Sequence, residues 1–159
     1  MGDNADEPQD NVAHDEMLLR LTWRPHDFDA DTGTLLPVAF RRDDLSGPDE
    51  GVSVDRKHLA QKDIIAKVAE EQKPKQPEDR VDAFLAAAAV LLIRAAAAND
   101  GPGIFLVQAA PIEGVNPAHA LISSRRQRTK SERNEARLEL IKYFERPVAF
   151  DAYFQALAG

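Results

Sequence analysis

From Ala83 to Ala98 every residue except Arg94 is apolar, and more than half of the positions are alanine. Such a stretch has to be buried, and it limits what the rest of the chain can form around it. Alanine favours helix, so the stretch predicts a helix from about Glu78 to Ala98, roughly 30 Å long at 1.5 Å per residue. Pro77, Glu78 and Asp79 suit its first turn, and Asn99-Asp100-Gly101 offers a left-handed stop. The unbroken apolar run, Ala83 to Ile93, is 11 residues, well short of the roughly 20 a membrane span needs. The expectation is a central buried helix whose alanines let neighbouring backbones approach closely.

The segments on either side change period. Leu19, Leu21 and Trp23 alternate with Arg20 and Thr22, the pattern of a half-buried strand ended by Pro25. Leu36, Val38 and Phe40 alternate in the same way, and Val52-Ser53-Val54 is a short third candidate. Between Leu59 and Gln72, Ile64, Ile65, Val68 and Ala69 fall on one helical face before Lys73-Pro74 breaks it. Ile104 to Val107 reads as a buried strand. A last long helix is expected from about Ser131 to Glu145, with Ala136, Leu140, Ile141 and Phe144 inward. A terminal segment, Val148 to Ala158, then packs Phe150, Tyr153, Phe154 and Leu157.

These elements define an α+β fold. A small, mostly antiparallel sheet from segments near 18–23, 36–41, 52–55 and 104–108 is packed by the long Ala-rich helix and two flanking helices. Residues 17–159 form a single domain. They follow an acidic leader, residues 1–16, expected to be disordered because it is too polar to offset its ordering entropy. Of the net charge of −7, the leader's Asp3, Asp6, Glu7, Asp10, Asp15 and Glu16 account for −6, leaving the body near −1. The chain has no cysteine, which excludes disulfides, thiolate metal sites and cysteine nucleophiles. With no apolar signal segment, the expected location is the cytoplasm.

Few motifs carry chemistry. Asp27-Phe28-Asp29-Ala30-Asp31 has alternating carboxylates, but Thr32 and Val38 occupy the positions where a calcium loop needs glycine and glutamate. A solvated hairpin loop is the better reading, and no metal or cofactor is implied. Asp31-Thr32-Gly33 spells the aspartic-protease triplet, yet it does not end an apolar strand. Arg125, Arg126, Arg128, Lys130, Arg133 and Arg137 form the one basic cluster. It lacks interleaved aromatics for base stacking, and its second half fits the solvated face of an amphipathic helix.

His119 stands apart, lying between apolar residues after Asn116-Pro117. Asn before Pro is an N-cap arrangement, so His119 is expected on a first helical turn, where the positive helix end suits a neutral acid/base or ligand histidine. The plainer reading is a histidine bonded to backbone to fix the turn. Ser53 and Asp55 are companion candidates for catalysis, although Asp55 is better read as capping the helix that follows.

Three fragments together, Leu36-Pro37-Val38-Ala39-Phe40, Gly51-Val52-Ser53-Val54-Asp55 and Asn116-Pro117-Ala118-His119-Ala120, resemble a group of small uncharacterised bacterial proteins. That group carries an Ala-Phe strand, a Ser-Val-Asp segment and an Asn-Pro-Ala-His-Ala motif after a buried strand. The resemblance covers roughly residues 18 to 122. This chain departs from it at Pro37-Val38, where the group often has a Ser-Ser pair, and in its alanine run. The resemblance implies a shared scaffold and marks His119 without naming a reaction.

The functional expectation is a non-enzymatic binding or adaptor protein of a bacterial multi-component system. Its partner would be another protein, with no membrane role, and Asn116, His119, Arg125, Arg126 and Arg128 are the candidate binding residues. The alternative is a small hydrolase or transferase using His119 with Ser53 or Asp55. A weaker alternative is nucleic-acid binding through Arg125 to Arg137.

Overall fold

Met17–Pro25 (β1) pairs antiparallel along its whole length with Arg80–Ala89 (β3), so the alanine run begins as a strand. The computed structural model describes residues 12–98 and 101–158. Val52–Arg56 (β2), Phe105–Ala109 (β6), His119–Ser124 (β7) and Val148–Ala149 (β8) complete a six-stranded antiparallel sheet in the order β6-β7-β2-β1-β3-β8. Two-residue strands β4 (Ala97–Ala98) and β5 (Gly101–Pro102) pair separately. The helices are α1 (Lys62–Gln72), α2 (Val90–Ala95), α3 (Lys130–Ile141) and α4 (Phe150–Ala158). The fold is α+β. No helix among the described residues is long and apolar enough to cross a membrane.

The sheet is buried on both faces across β1 and β3. On one face Leu18, Val52, Val54, Ala88, Phe105, Val107, Ala120 and Ile122 form a single core with Val90 and Ile93 of α2 and Ala136 and Leu140 of α3. On the other, Leu19 and Leu85 pack with Ile65 of α1 and with Phe150, Tyr153 and Phe154 of α4. A strand covered on both sides needs apolar residues at successive positions, and this is what the alanine run supplies.

The long Ala-rich helix expected from Glu78 to Ala98 is therefore corrected. Its first half is β3, and only Val90–Ala95 is helical. Its expected stop at Asn99 and Asp100 lies outside the described residues. The strand expected at 36–41 is corrected too: Pro37–Ala39 is a 3-10 turn, with Phe40 buried and Val38 45% exposed. The last helix ends at Ile141, four residues before Glu145, and Leu157 of α4 faces solvent.

The expected leader falls mostly on residues 1–11, which lie outside the described residues. Residues 12–16 are anchored: Val12 is 1% exposed in the core, and the Glu16 carbonyl accepts from the Val90 amide at 3.0 Å. The Glu16 carboxylate takes a bidentate hydrogen bond from Arg56 Nε and Nη2 at 2.8 and 2.6 Å. The Arg56 bond, with help from the Ala13 amide, holds this carboxyl below its ordinary range against the opposing effect of burial.

Candidate functional site

On the second face of the sheet, α1 and α4 cover the β1–β3 side and leave β2 and β7 bare. The uncovered strip is the floor of a cleft of about 690 Å³. The cleft exists partly because β1 and β2 stop pairing. Their ladder holds only at Leu18↔Arg56 and Leu19↔Asp55. Beyond that point Arg20 takes over the free acceptors, with Nη1 donating to Ser53 O at 2.8 Å and Nη2 to Ala39 O at 3.0 Å. Its guanidinium lies 5.9 Å from the centre of the Phe40 ring. The guanidinium thus satisfies a β2 carbonyl that a continued ladder would otherwise pair, and bridges it to the 3-10 turn at Ala39. Burial pushes the Arg20 pKa below its ordinary value.

β2 and β7 pair with Ser53 opposite Leu121, Val54 opposite Ala120 and Asp55 opposite His119. Alternation puts Ser53, Asp55 and His119 on the cleft face, with Ser53 and His119 as diagonal neighbours. His119 Nε2 is 3.2 Å from Ser53 Oγ, and His119 Nδ1 is 2.8 Å from Ala110 O. A carbonyl only accepts, so Nδ1 carries a proton, and in neutral imidazole Nε2 is then free to accept from the serine hydroxyl. The backbone carbonyl thus holds the ring and fixes its tautomer.

Asp55 has a different partner. Asn116 Nδ2 donates to Asp55 Oδ1 at 2.7 Å, while Asn116 Oδ1 accepts from the Ala118 amide at 3.0 Å. Burial raises the Asp55 pKa above its ordinary value, opposed by the Asn116 hydrogen bond and by the charges of His119 and Arg20. Asn116 itself is buried and closes a short loop, where the Ile112 amide bonds Asn116 O at 2.9 Å and the Asn116 amide bonds Ile112 O at 2.8 Å. Gly114 turns this loop at φ +74°, a conformation that costs a residue with a Cβ.

Two sequence expectations about this region are corrected. His119 opens strand β7 rather than a helical turn, because the chain after Pro117 pairs with both β2 and β6. Asn116 still caps an amide two residues on, as an N-cap would, but a strand follows. Asp55 caps no helix: it lies within β2 and bonds Asn116.

Ser53, Asp55, Asn116 and His119 all line the one cleft. The basic residues Arg125, Arg126 and Arg128 do not join them, since they follow Ser124 at the opposite end of β7 from His119. Arg125 Nε bonds Gly103 O at 2.6 Å. Arg126 pairs with Glu132 at 3.0 Å. That bond, with the Thr129 amide, holds the Glu132 carboxyl down to about 2. Arg128 is buried. Arg133 bonds Arg128 O and Asp43, and Arg137 bonds Phe40 O and Asn134. Much of this charge is engaged with the chain's own groups.

Two of the three carboxylates of 27–31 are engaged likewise. Asp27 Oδ2 accepts from the Trp23 amide at 2.8 Å, and Asp29 Oδ1 accepts from the amides of Asp31 and Thr32. Sequence reasoning missed Arg20, Trp23, Gln72 and Arg80 as cleft residues. A charged side chain between the apolar Leu19 and Leu21 was the signal available for Arg20.

Comparison with protein-family models, with curated proteins and with solved structures finds no match to this chain.

Proposed function

We propose that the protein is a small hydrolase or acyl transferase in which Ser53 is the nucleophile and His119 its general base. The observation that carries this reading is the 3.2 Å contact of Ser53 Oγ with His119 Nε2, on a ring oriented through Nδ1 by Ala110 O. Nucleophile, base and orienting group within hydrogen-bond reach, at the floor of a cleft, are three of the elements of an acyl-transfer site.

In this mechanism the Ser53 oxygen attacks an acyl carbonyl as its proton passes to Nε2. The imidazolium returns that proton to the leaving oxygen as the carbonyl–oxygen bond breaks, giving an acyl-serine. Water, or an acceptor alcohol, then attacks the acyl-serine while Nε2 takes its proton, and Ser53 is released with its hydroxyl restored. Ala110 O stabilises the imidazolium directly. Asp55, directly across the ladder, adds a favourable charge without bonding the ring.

A fluorophosphonate probe tests this reading, because it labels only an activated serine and expels fluoride. The expected result is labelling at Ser53, located by peptide mass spectrometry, and its loss in His119→Gln. A folded protein that fails to label under any condition overturns the reading and favours the adaptor role.

A further inference from the structure

The cleft's charge is opposite in sign to that of the whole chain. Four cations, Arg20, Arg41, Lys75 and Arg80, line it against two carboxylates, Asp27 and Asp55, on a protein of net charge −7. Burial also disfavours the ionised form of Asp55, and Asp27 is bonded to the Trp23 amide and to His26. Among the described residues, none of the four cations forms an ion pair with a carboxylate. Arg20 is committed to Ser53 O and Ala39 O, and Arg80 Nη1 to Gln72 O at 2.7 Å. Arg41 and Lys75 are exposed at the cleft wall. Positive charge concentrated in a cleft of an acidic protein selects anions.

The cleft is also apolar in one sector and extended in one direction. Val38, Ile112 and Val115 are 45%, 44% and 60% exposed at its rim. Ile112 and Val115 continue into an adjoining shallow groove with Ile64. Asp55 is level with Leu19 of β1 and Arg80 with Pro25. The six residue steps from Leu19 to Pro25 span about 20 Å at ~3.3 Å per residue. A compact ion would leave the apolar rim wet, and a neutral lipid would leave the cations unpaired.

We infer that the cleft takes a small organic anion with an apolar body, its carboxylate or phosphate drawn to the Arg41, Lys75 and Arg80 side and its apolar part against Val38, Ile112 and Val115. The inference rests on the proposed function in placing the scissile acyl group over Ser53, so the substrate carries an ester or thioester bond in addition to the anionic group that the cations hold. Ligand binding itself needs only the cleft.

Calorimetric titration of the full chain carrying Ser53→Ala separates the two claims. Hexanoate and hexyl phosphate are the probes, with hexanol and hexylammonium as controls of equal apolar length. Saturable binding of at least one anion, ten-fold or more tighter than both controls, is expected, and the tighter anion names the group recognised. Arg41→Ser with Lys75→Ser should weaken that binding about ten-fold while circular dichroism stays unchanged. Equal binding of hexanol and hexylammonium, or affinity indifferent to the double substitution, overturns the inference. Fluorophosphonate labelling that persists alongside such a failure would leave the Ser53–His119 chemistry standing. Anion binding without labelling would retain the ligand class and remove the chemistry.

Discussion

Asp55 and His119 face each other directly across the β2–β7 ladder, yet neither bonds the other. The carboxylate is held by Asn116 at 2.7 Å and the imidazole by Ala110 O at 2.8 Å. The third member of the Ser–His constellation is therefore a main-chain carbonyl. Asp55→Asn should leave fluorophosphonate labelling of Ser53 within about three-fold of the wild type, because ten-fold requires about 1.4 kcal/mol of barrier.

The same variant reads out the burial of Asp55. Its folded pKa is raised, so the folded state holds this proton more tightly than the unfolded chain does. The stability that follows is fully present below the unfolded pKa and is lost as pH rises through the folded value. Asn116 Nδ2 can donate equally to an amide oxygen at position 55. Urea melts should therefore show Asp55→Asn equal to or more stable than the wild type at pH 7, with its advantage shrinking as pH falls toward 4. Marked destabilisation at pH 7 would contradict this account.

Glu16 gives the opposite pH dependence. Its pKa is lowered, first by the Arg56 hydrogen bond, and its side chain is only 8% exposed. His58 Nδ1 lies 3.5 Å from the same carboxylate. A lowered folded pKa contributes stability above the unfolded value, and that contribution is lost as pH falls through the folded one. Glu16→Gln should cost about 2 kcal/mol at pH 7, the range for hydrogen bonds to charged groups. The wild type and the variant should converge in acid, below the folded pKa of Glu16, when melted at stepped pH.

Arg20 holds the cleft open, so its removal should be felt in both stability and shape. Arg20→Met leaves Ser53 O and Ala39 O without their donors, a loss of about 3 kcal/mol for two charge-assisted bonds. If β1 and β2 then zip beyond Leu19↔Asp55, Ser53 loses access to the cleft. Reduced labelling of Ser53 in a variant that still folds would report that closure, and hydrogen exchange at the β2 amides should slow.

What could be read from the sequence followed from side-chain period, and what could not depended on pairing. Leu19, Leu21 and Trp23 alternate because the two faces of β1 meet different layers. β3 has no such alternation, since both of its faces are covered, and a continuous apolar run looks the same in a buried helix. Alanine's helix preference pointed the wrong way there, overridden by pairing with β1 at every residue from Met17 to Pro25. Pro37 broke the apparent strand at 36–41, because it fits the first position of a turn. Asn116 kept its capping chemistry while the segment after it joined the sheet. Ser53, Asp55 and His119 were visible as candidates, but their meeting depends on a register between segments more than 60 residues apart. The cations opposite them come from four further segments.

The close packing over the alanine run can be tested by size. Ala88 is fully buried opposite Leu18, facing the core built by α2 and α3. Such positions are small because Val90, Ile93 and Leu140 fill the space above the sheet. Ala88→Leu adds volume where none is free and should cost about 1–3 kcal/mol. Val81, on the same strand, is 48% exposed, and Val81→Thr should stay within about 0.5 kcal/mol, as solvent-facing changes do. In an isolated helix Ala→Leu would be nearly neutral. Urea melts of the two variants against the wild type therefore measure how tightly the strand is packed at Ala88. A loss at Ala88 no larger than that at Val81 would contradict the packed β1–β3 ladder.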